Sequence, residues 1–209
     1  MAIRTPKTRE ALAAHLSPMR LQASVFERAV AVAAAESRSF SPGAPKSAAE
    51  ITRWLRTVET VHAELMALQL GWMRLDPQNL PYFLQPDLQL GLIVSSGDER
   101  TGVTYASPSN RNAKGLAFAR RVDENGQVAM FGQPTDQGEV DVEDVWVLLY
   151  DERDGVVHLE LSRPSSMSGN FVSTWSERII FPAFDLALGA FAFEDDNDEG
   201  DFGFTVARR

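Results

Sequence analysis

Apolar residues recur with a helical period over the first third of the chain and with a strand period over much of the rest. Thr5-Pro6 suits a helix start, with Thr as cap and Pro in the first turn, and Leu12, His15, Leu16 and Met19 follow at helical spacing. Ser17-Pro18 repeats the start signal and predicts a break. A second helix is predicted from about Pro18 to Glu36, with Leu21, Val25, Ala29 and Val32 on one stripe. The small alanines beside that stripe let another helix approach closely. Ser39–Lys46 reads as a loop from its Ser, Pro and Gly content. Ser47-Ala-Ala-Glu50 has the form of a capping box. Ile51, Trp54, Leu55, Val58, Val61, His62, Leu65 and Leu68 then continue the helical spacing until Gly71 and Asp76-Pro77. Two long helices with a short loop predict an antiparallel hairpin.

From Leu88 the period shortens. Leu90–Val94, Val103–Tyr105, Leu116–Val122, Gln127–Phe131, Val145–Tyr150, Val156–Leu161 and Ser173–Phe181 read as strands. Asp123-Glu-Asn-Gly126 and Asp151-Glu-Arg-Asp-Gly155 read as hairpin turns, and Pro164–Asn170 as a loop. The predicted class is α+β, an amino-terminal antiparallel helical hairpin followed by a mostly antiparallel sheet of about six or seven strands. The expected division is a helical hairpin over 1–76, a β-rich domain over 77–184 and an acidic, Phe-containing tail over 185–209.

Composition removes several chemistries. The 209 residues include no Cys, which excludes disulfide scaffolds, Cys-ligated zinc and thiol catalysis. No basic and apolar leader opens the chain, and no run approaches the ~18 apolar residues of a membrane span, so a cytoplasmic protein without membrane contact is expected. Arg outnumbers Lys 17 to 3, which we read as codon composition. Charge is uneven: residues 1–100 hold 11 basic and 10 acidic side chains, residues 101–209 hold 9 and 19. That excess of acid disfavours nucleic acid as a partner unless a local basic patch exists.

The candidate patch comes from two polar loops around one short predicted strand, Gly97–Gly102 and Ser109–Gly115. With the residues that follow they bring Arg100, Arg111, Lys114, Arg120 and Arg121 close in sequence. Glycines let backbone amides face an anion, and Arg grips phosphate or carboxylate in a fork. On the helical side, Trp54 and Trp72 lie five helical turns apart and are expected to face one way as interface anchors. Glu139, Asp141, Glu143 and Asp144 share one stretch as carboxylates a nuclease metal would need. Asp195, Asn197, Glu199 and Gly200 match the start of a calcium loop, but Val206 stands where its bidentate carboxylate belongs. His15, His62 and His158 sit inside predicted helices and a strand, and no nucleophile elbow or phosphate-loop motif accompanies them.

The text Val-Trp-Val-Leu-Leu-Tyr, His-Leu-Glu-Leu-Ser-Arg-Pro and Trp-Ser-Glu-Arg-Ile-Ile-Phe-Pro within Val145–Pro182, with Gly97–Gly102 upstream, resembles uncharacterised bacterial proteins associated with phages and mobile elements. The resemblance implies a setting in phage–host conflict and carries over no catalytic residue. The reading from sequence is a non-enzymatic protein that binds a protein partner or itself as a homo-oligomer, without catalytic residues, metal or cofactor. A nucleic-acid or nucleotide-phosphate module using the 97–121 loops is the alternative, and a metal-dependent nuclease the second alternative.

Overall fold

The computed structural model describes residues 1–45, 47–131, 144–186 and 190–191. Among them the strands are β1 (Ala2–Arg4), β2 (Met73–Leu75), β3 (Tyr82–Gln85), β4 (Leu90–Ser96), β5 (Asp144–Arg153), β6 (Val156–Ser168), β7 (Phe171–Ile180), β8 (Phe184–Asp185) and β9 (Ala190–Phe191). The helices are α1 (Arg9–Leu16), α2 (Ala23–Ser37), α3 (Ala48–Ala67) and α4 (Leu116–Phe131). Seven strands form one sheet in the order β1-β7-β6-β5-β4-β3-β2, and β8 with β9 attaches to the start of β6. The class is α+β, as the sequence predicts.

The sheet is mixed: most neighbouring strands are antiparallel, as expected, but two pairs are parallel. β4 runs parallel to β5, and β1 runs parallel to β7. For β4 and β5 the cause lies in the connection between them, which includes the helix α4. Parallel neighbours need such a crossover, whereas a hairpin would have set them antiparallel. Residues 116–131, read from sequence as two strands around an Asp-Glu-Asn-Gly turn, are therefore one helix. Its buried Phe118 and Val122 stand four residues apart on one face. The turn-like residues have tertiary uses that outweigh their local preference. The Asn125 side chain donates to Val145 O and Pro164 O and accepts from Val145 N, at 2.8–3.0 Å. At Gly126 an added Cβ would stand 2.8 Å from Ser165 O, so glycine lets helix and strand touch.

Both faces of the sheet are covered. α1, α2 and α3 pack on one face through Leu12, Leu16, Phe26, Val58, Val61 and Leu65, against Leu92, Trp146, Leu148, Leu159, Leu161 and Ile179. On the other face Phe118 and Val122 of α4 meet Ile93, Val145, Val147, Leu149, Val172 and Trp175. Alternate residues of β5 thus enter opposite cores, and this explains why Val145–Tyr150 is an unbroken apolar run. Residues 1–76 and 77–184 contribute jointly to the sheet, through β1 and β2, and to the first of these cores.

Helices α2 and α3 run antiparallel, since Arg28 pairs with Glu64 while Glu36 pairs with Arg56. The hairpin does not open the fold, however: β1 and α1 precede it. α1 is capped by Thr8, whose hydroxyl accepts from Ala11 N at 3.2 Å, and not by Thr5. Ser17–Met19 is a single 3-10 turn closed by Arg20 in the left-handed region, so the predicted break is present. The capping box is not formed. Ser47 already has helical φ and ψ, and its side chain makes no cap bond. Val103–Tyr105 is not a strand either. It lies in a turn-rich segment over 97–115 whose carbonyls at Val103 and Ala106 accept from Arg178. β6 runs on to Ser168, into the expected 164–170 loop, with register shifts around Pro164 and Ser166, and only 169–170 form the turn. No helix among the described residues is long and apolar enough to cross a membrane.

Candidate functional site

Because β4 and β5 are parallel, their carboxyl ends point the same way: β4 ends at Ser96, opposite Tyr150, and β5 runs on to Arg153. The chain leaves both strands at these ends, one into the 97–115 segment and the other toward the β5–β6 turn. Crevices outside the carboxyl ends of parallel strands are natural binding sites, since departing loops leave a gap above the sheet. A cleft of about 440 Å³ occupies this position. Its floor is Ser96, Tyr150, Asp151 and Glu152; one wall is the start of α3, with Glu50, Ile51, Arg53 and Trp54; the other wall is Arg111, Asn112 and Lys114. The volume falls within the range of small-molecule sites, about 300–1,000 Å³.

The charges are ordered by burial. Asp151, on the last turn-ward stretch of β5, has a side chain only 1% exposed. Burial pushes its carboxyl pKa upward, and the Arg111 and Arg153 guanidinium groups oppose that shift. Arg111 forms a close ion pair with Asp151 and donates from Nε to Gly97 O at 3.1 Å, while its other terminal nitrogen stands 3.9 Å from Glu50. Glu152 is held by Arg38 at 3.0 Å and Arg53 at 2.9 Å, and Arg53 also donates to Ser37 Oγ. Burial raises the Tyr150 hydroxyl further above its ordinary value, against Arg53 and Arg111, so it stays a neutral phenol. Lys114 has no carboxylate within ion-pair distance among the described residues. Its ammonium lies 5.8 Å from the centre of the Phe118 ring, and burial lowers its pKa to about 8. The Trp54 indole donates to Val94 O at 3.3 Å, which fixes its edge while the ring stays partly exposed at the cleft.

Of the five basic residues grouped by sequence, the cleft gathers two, Arg111 and Lys114. Arg100 is exposed on the Asp98–Thr101 turn, outside the cleft lining. Arg120 is exposed on α4. Arg121 lies over the Tyr82 ring, 4.7 Å from its centre, and pairs with Glu124 at 3.4 Å. The expected convergence fails because residues 116–131 are helical and carry Arg120 and Arg121 away with α4. Trp54 and Trp72 do not share a helix, since α3 ends at Ala67. Trp72 is 4% exposed and donates to Arg20 O at 2.9 Å, so it is a core residue and not an interface anchor.

Sequence reasoning missed Glu50, Arg53, Tyr150, Asp151 and Glu152. One signal was available: Asp151-Glu152 closes an apolar run, and carboxylates at a strand end are placed to face a crevice. The turn pattern that follows them masked it. The histidines lie apart. His62 stacks on Phe83 with ring centres 6.3 Å apart, His15 lies 3.4 Å from an Arg4 nitrogen, and His158 packs under Gly102. Burial and Arg153 lower the His158 pKa. No group of three or more His, Asp or Glu that would hold a metal occurs among the described residues. Of the acidic run proposed for a nuclease, residues 139–143 lie outside the described residues, and Asp144 pairs with Arg163 and accepts from the Trp146 indole. The calcium-like stretch 195–200 also lies outside them. Compared with protein-family models, curated proteins and solved structures, the chain matches none.

Proposed function

We propose that this chain is a binding module for a small organic anion with a flat ring, of about nucleoside-monophosphate size, held in the cleft beside Trp54. The observation that carries the reading is the meeting of Arg111, Lys114 and a partly exposed indole at the carboxyl ends of two parallel strands. Arg111 has a 43% exposed side chain, so it can take a ligand carboxylate or phosphate while keeping Asp151. Lys114 supplies a positive charge that no described carboxylate offsets. Trp54 and Ile51 offer apolar surface for the ring.

Calorimetric titration with adenosine monophosphate tests this. Arg111→Ala is expected to weaken binding by about tenfold or more, the loss of one charge-assisted hydrogen bond. Arg120→Ala, off the cleft, is expected to leave it unchanged. Equal weakening by both, or no binding by the parent, contradicts the reading.

Self-association is the second reading, favoured by apolar side chains left open along one side. Ile51 and Leu55 of α3 are 54% and 50% exposed, and Phe40 is 44% exposed. Leu55 and Phe40 line a shallow groove whose rim carries Glu36, Glu59, Arg56 and Arg74, equal in number and opposite in sign. Such a rim suits a second copy of itself. Light scattering during size exclusion is expected to give a dimer mass that Leu55→Glu reduces to the monomer. A monomer at every concentration rules it out.

A further inference from the structure

We infer that Lys114 is a covalent anchor, and that the ligand class of the cleft includes organic anions bearing an aldehyde or ketone, which Lys114 captures as an imine. The inference rests on the cleft reading above and adds a bond to it.

Three observations carry it. The chain has only three lysines, Lys7, Lys46 and Lys114, and Lys114 lines the cleft. Of the charged groups around the cleft, Arg111 is committed to Asp151, Arg53 is committed to Glu152, and Glu50 stands 3.9 Å from Arg111. None of these carboxylates lies within ion-pair distance of the Lys114 ammonium, which instead sits over the edge of an apolar core at Phe118. Among the described residues Lys114 thus has no carboxylate counter-ion, and an amine so placed in partly apolar surroundings gives up its proton readily, as imine-forming lysines do. Burial brings its pKa to about 8, so about a quarter of it is free amine at pH 7.5.

The step balances within the pair. The neutral Lys114 nitrogen attacks the carbonyl carbon and a C–N bond forms. The carbonyl oxygen then leaves as water with both amine hydrogens, and a C=N bond remains. The neighbouring cation Arg111 receives the ligand's anionic group, and the ring lies toward Trp54.

Pyridoxal 5′-phosphate is the probe, since it joins an aldehyde, a flat ring and a phosphate. After brief exposure and borohydride reduction, peptide mapping is expected to find the adduct on Lys114 at least tenfold faster than on exposed Lys7. The rate is expected to rise with pH around a midpoint near 8. Lys114→Arg keeps the charge, cannot form an imine, and is expected to abolish that adduct. Pyridoxine 5′-phosphate, which lacks the aldehyde, is titrated in parallel. If it binds and Lys114 labels no faster than Lys7, the covalent role is overturned and the cleft reading stands. If neither phosphate binds and Lys114 is not labelled, both are overturned.

Discussion

Replacing Arg178 by Ala is expected to lower the unfolding free energy by about 3–5 kcal/mol, the usual cost of stranding one partner of a buried ion pair. Arg178 and Glu160 are each fully buried on neighbouring strands, Arg178 on β7 and Glu160 on β6. The guanidinium meets the carboxylate twice, at 3.0 and 2.6 Å, and donates to Ala106 O and Val103 O. Glu160 also accepts from Gly102 N and Ser162 Oγ. The pair therefore pins the 97–115 segment to the sheet, and that segment carries Arg111 and Lys114. For a chain of this size the melting temperature is expected to fall on the order of 10 °C. The Glu160→Leu, Arg178→Met double variant removes both charges, but it leaves Gly102 N–H and the carbonyls of Val103 and Ala106 without partners. Its stability is expected to lie between that of the parent and Arg178→Ala. Urea unfolding measures all three, and a loss under 1 kcal/mol for Arg178→Ala contradicts this account of the segment.

Asn125→Ala is expected to cost about 3 kcal/mol. One fully buried carboxamide serves three main-chain groups: the N–H and C=O of Val145, and the C=O of Pro164 where β6 shifts register. Each buried group left unpaired costs roughly 1–3 kcal/mol, and carbonyls with a second lone pair lie at the low end. Asp is no rescue, because it keeps the acceptor for Val145 N but sets a carboxylate against two carbonyl oxygens. The local readout is hydrogen exchange at the Val145 amide, which is expected to quicken in Asn125→Ala beyond the global change. An unchanged urea midpoint and unchanged exchange contradict the assignment.

These two residues also mark where the sequence could and could not be read. The apolar stripe of α3 and the run Val145–Tyr150 identify themselves, because burial of a helix face or of both strand faces leaves a periodic or continuous trace. Asn125 and Gly126 mislead, because a turn-forming pair is indistinguishable from a helix segment whose amide and missing Cβ serve a distant strand. β2 and β3, at three and four residues, are too short to show a period. The cleft was half legible. Arg111 and Lys114 stand out as cations between glycines, whereas Tyr150 and Asp151 join them only because β4 and β5 are parallel. That relation depends on α4, the element misread as a hairpin.

The most direct test of the cleft is a nitrogen-15 spectrum of the indole N–H groups during addition of adenosine monophosphate. The chain has four tryptophans, and Trp72, Trp146 and Trp175 are 4%, 6% and 3% exposed. The Trp54 signal is expected to move progressively to saturation while the other three hold their positions. A Trp54 signal that stays still while the nucleotide binds elsewhere, or four signals that shift alike, would contradict it.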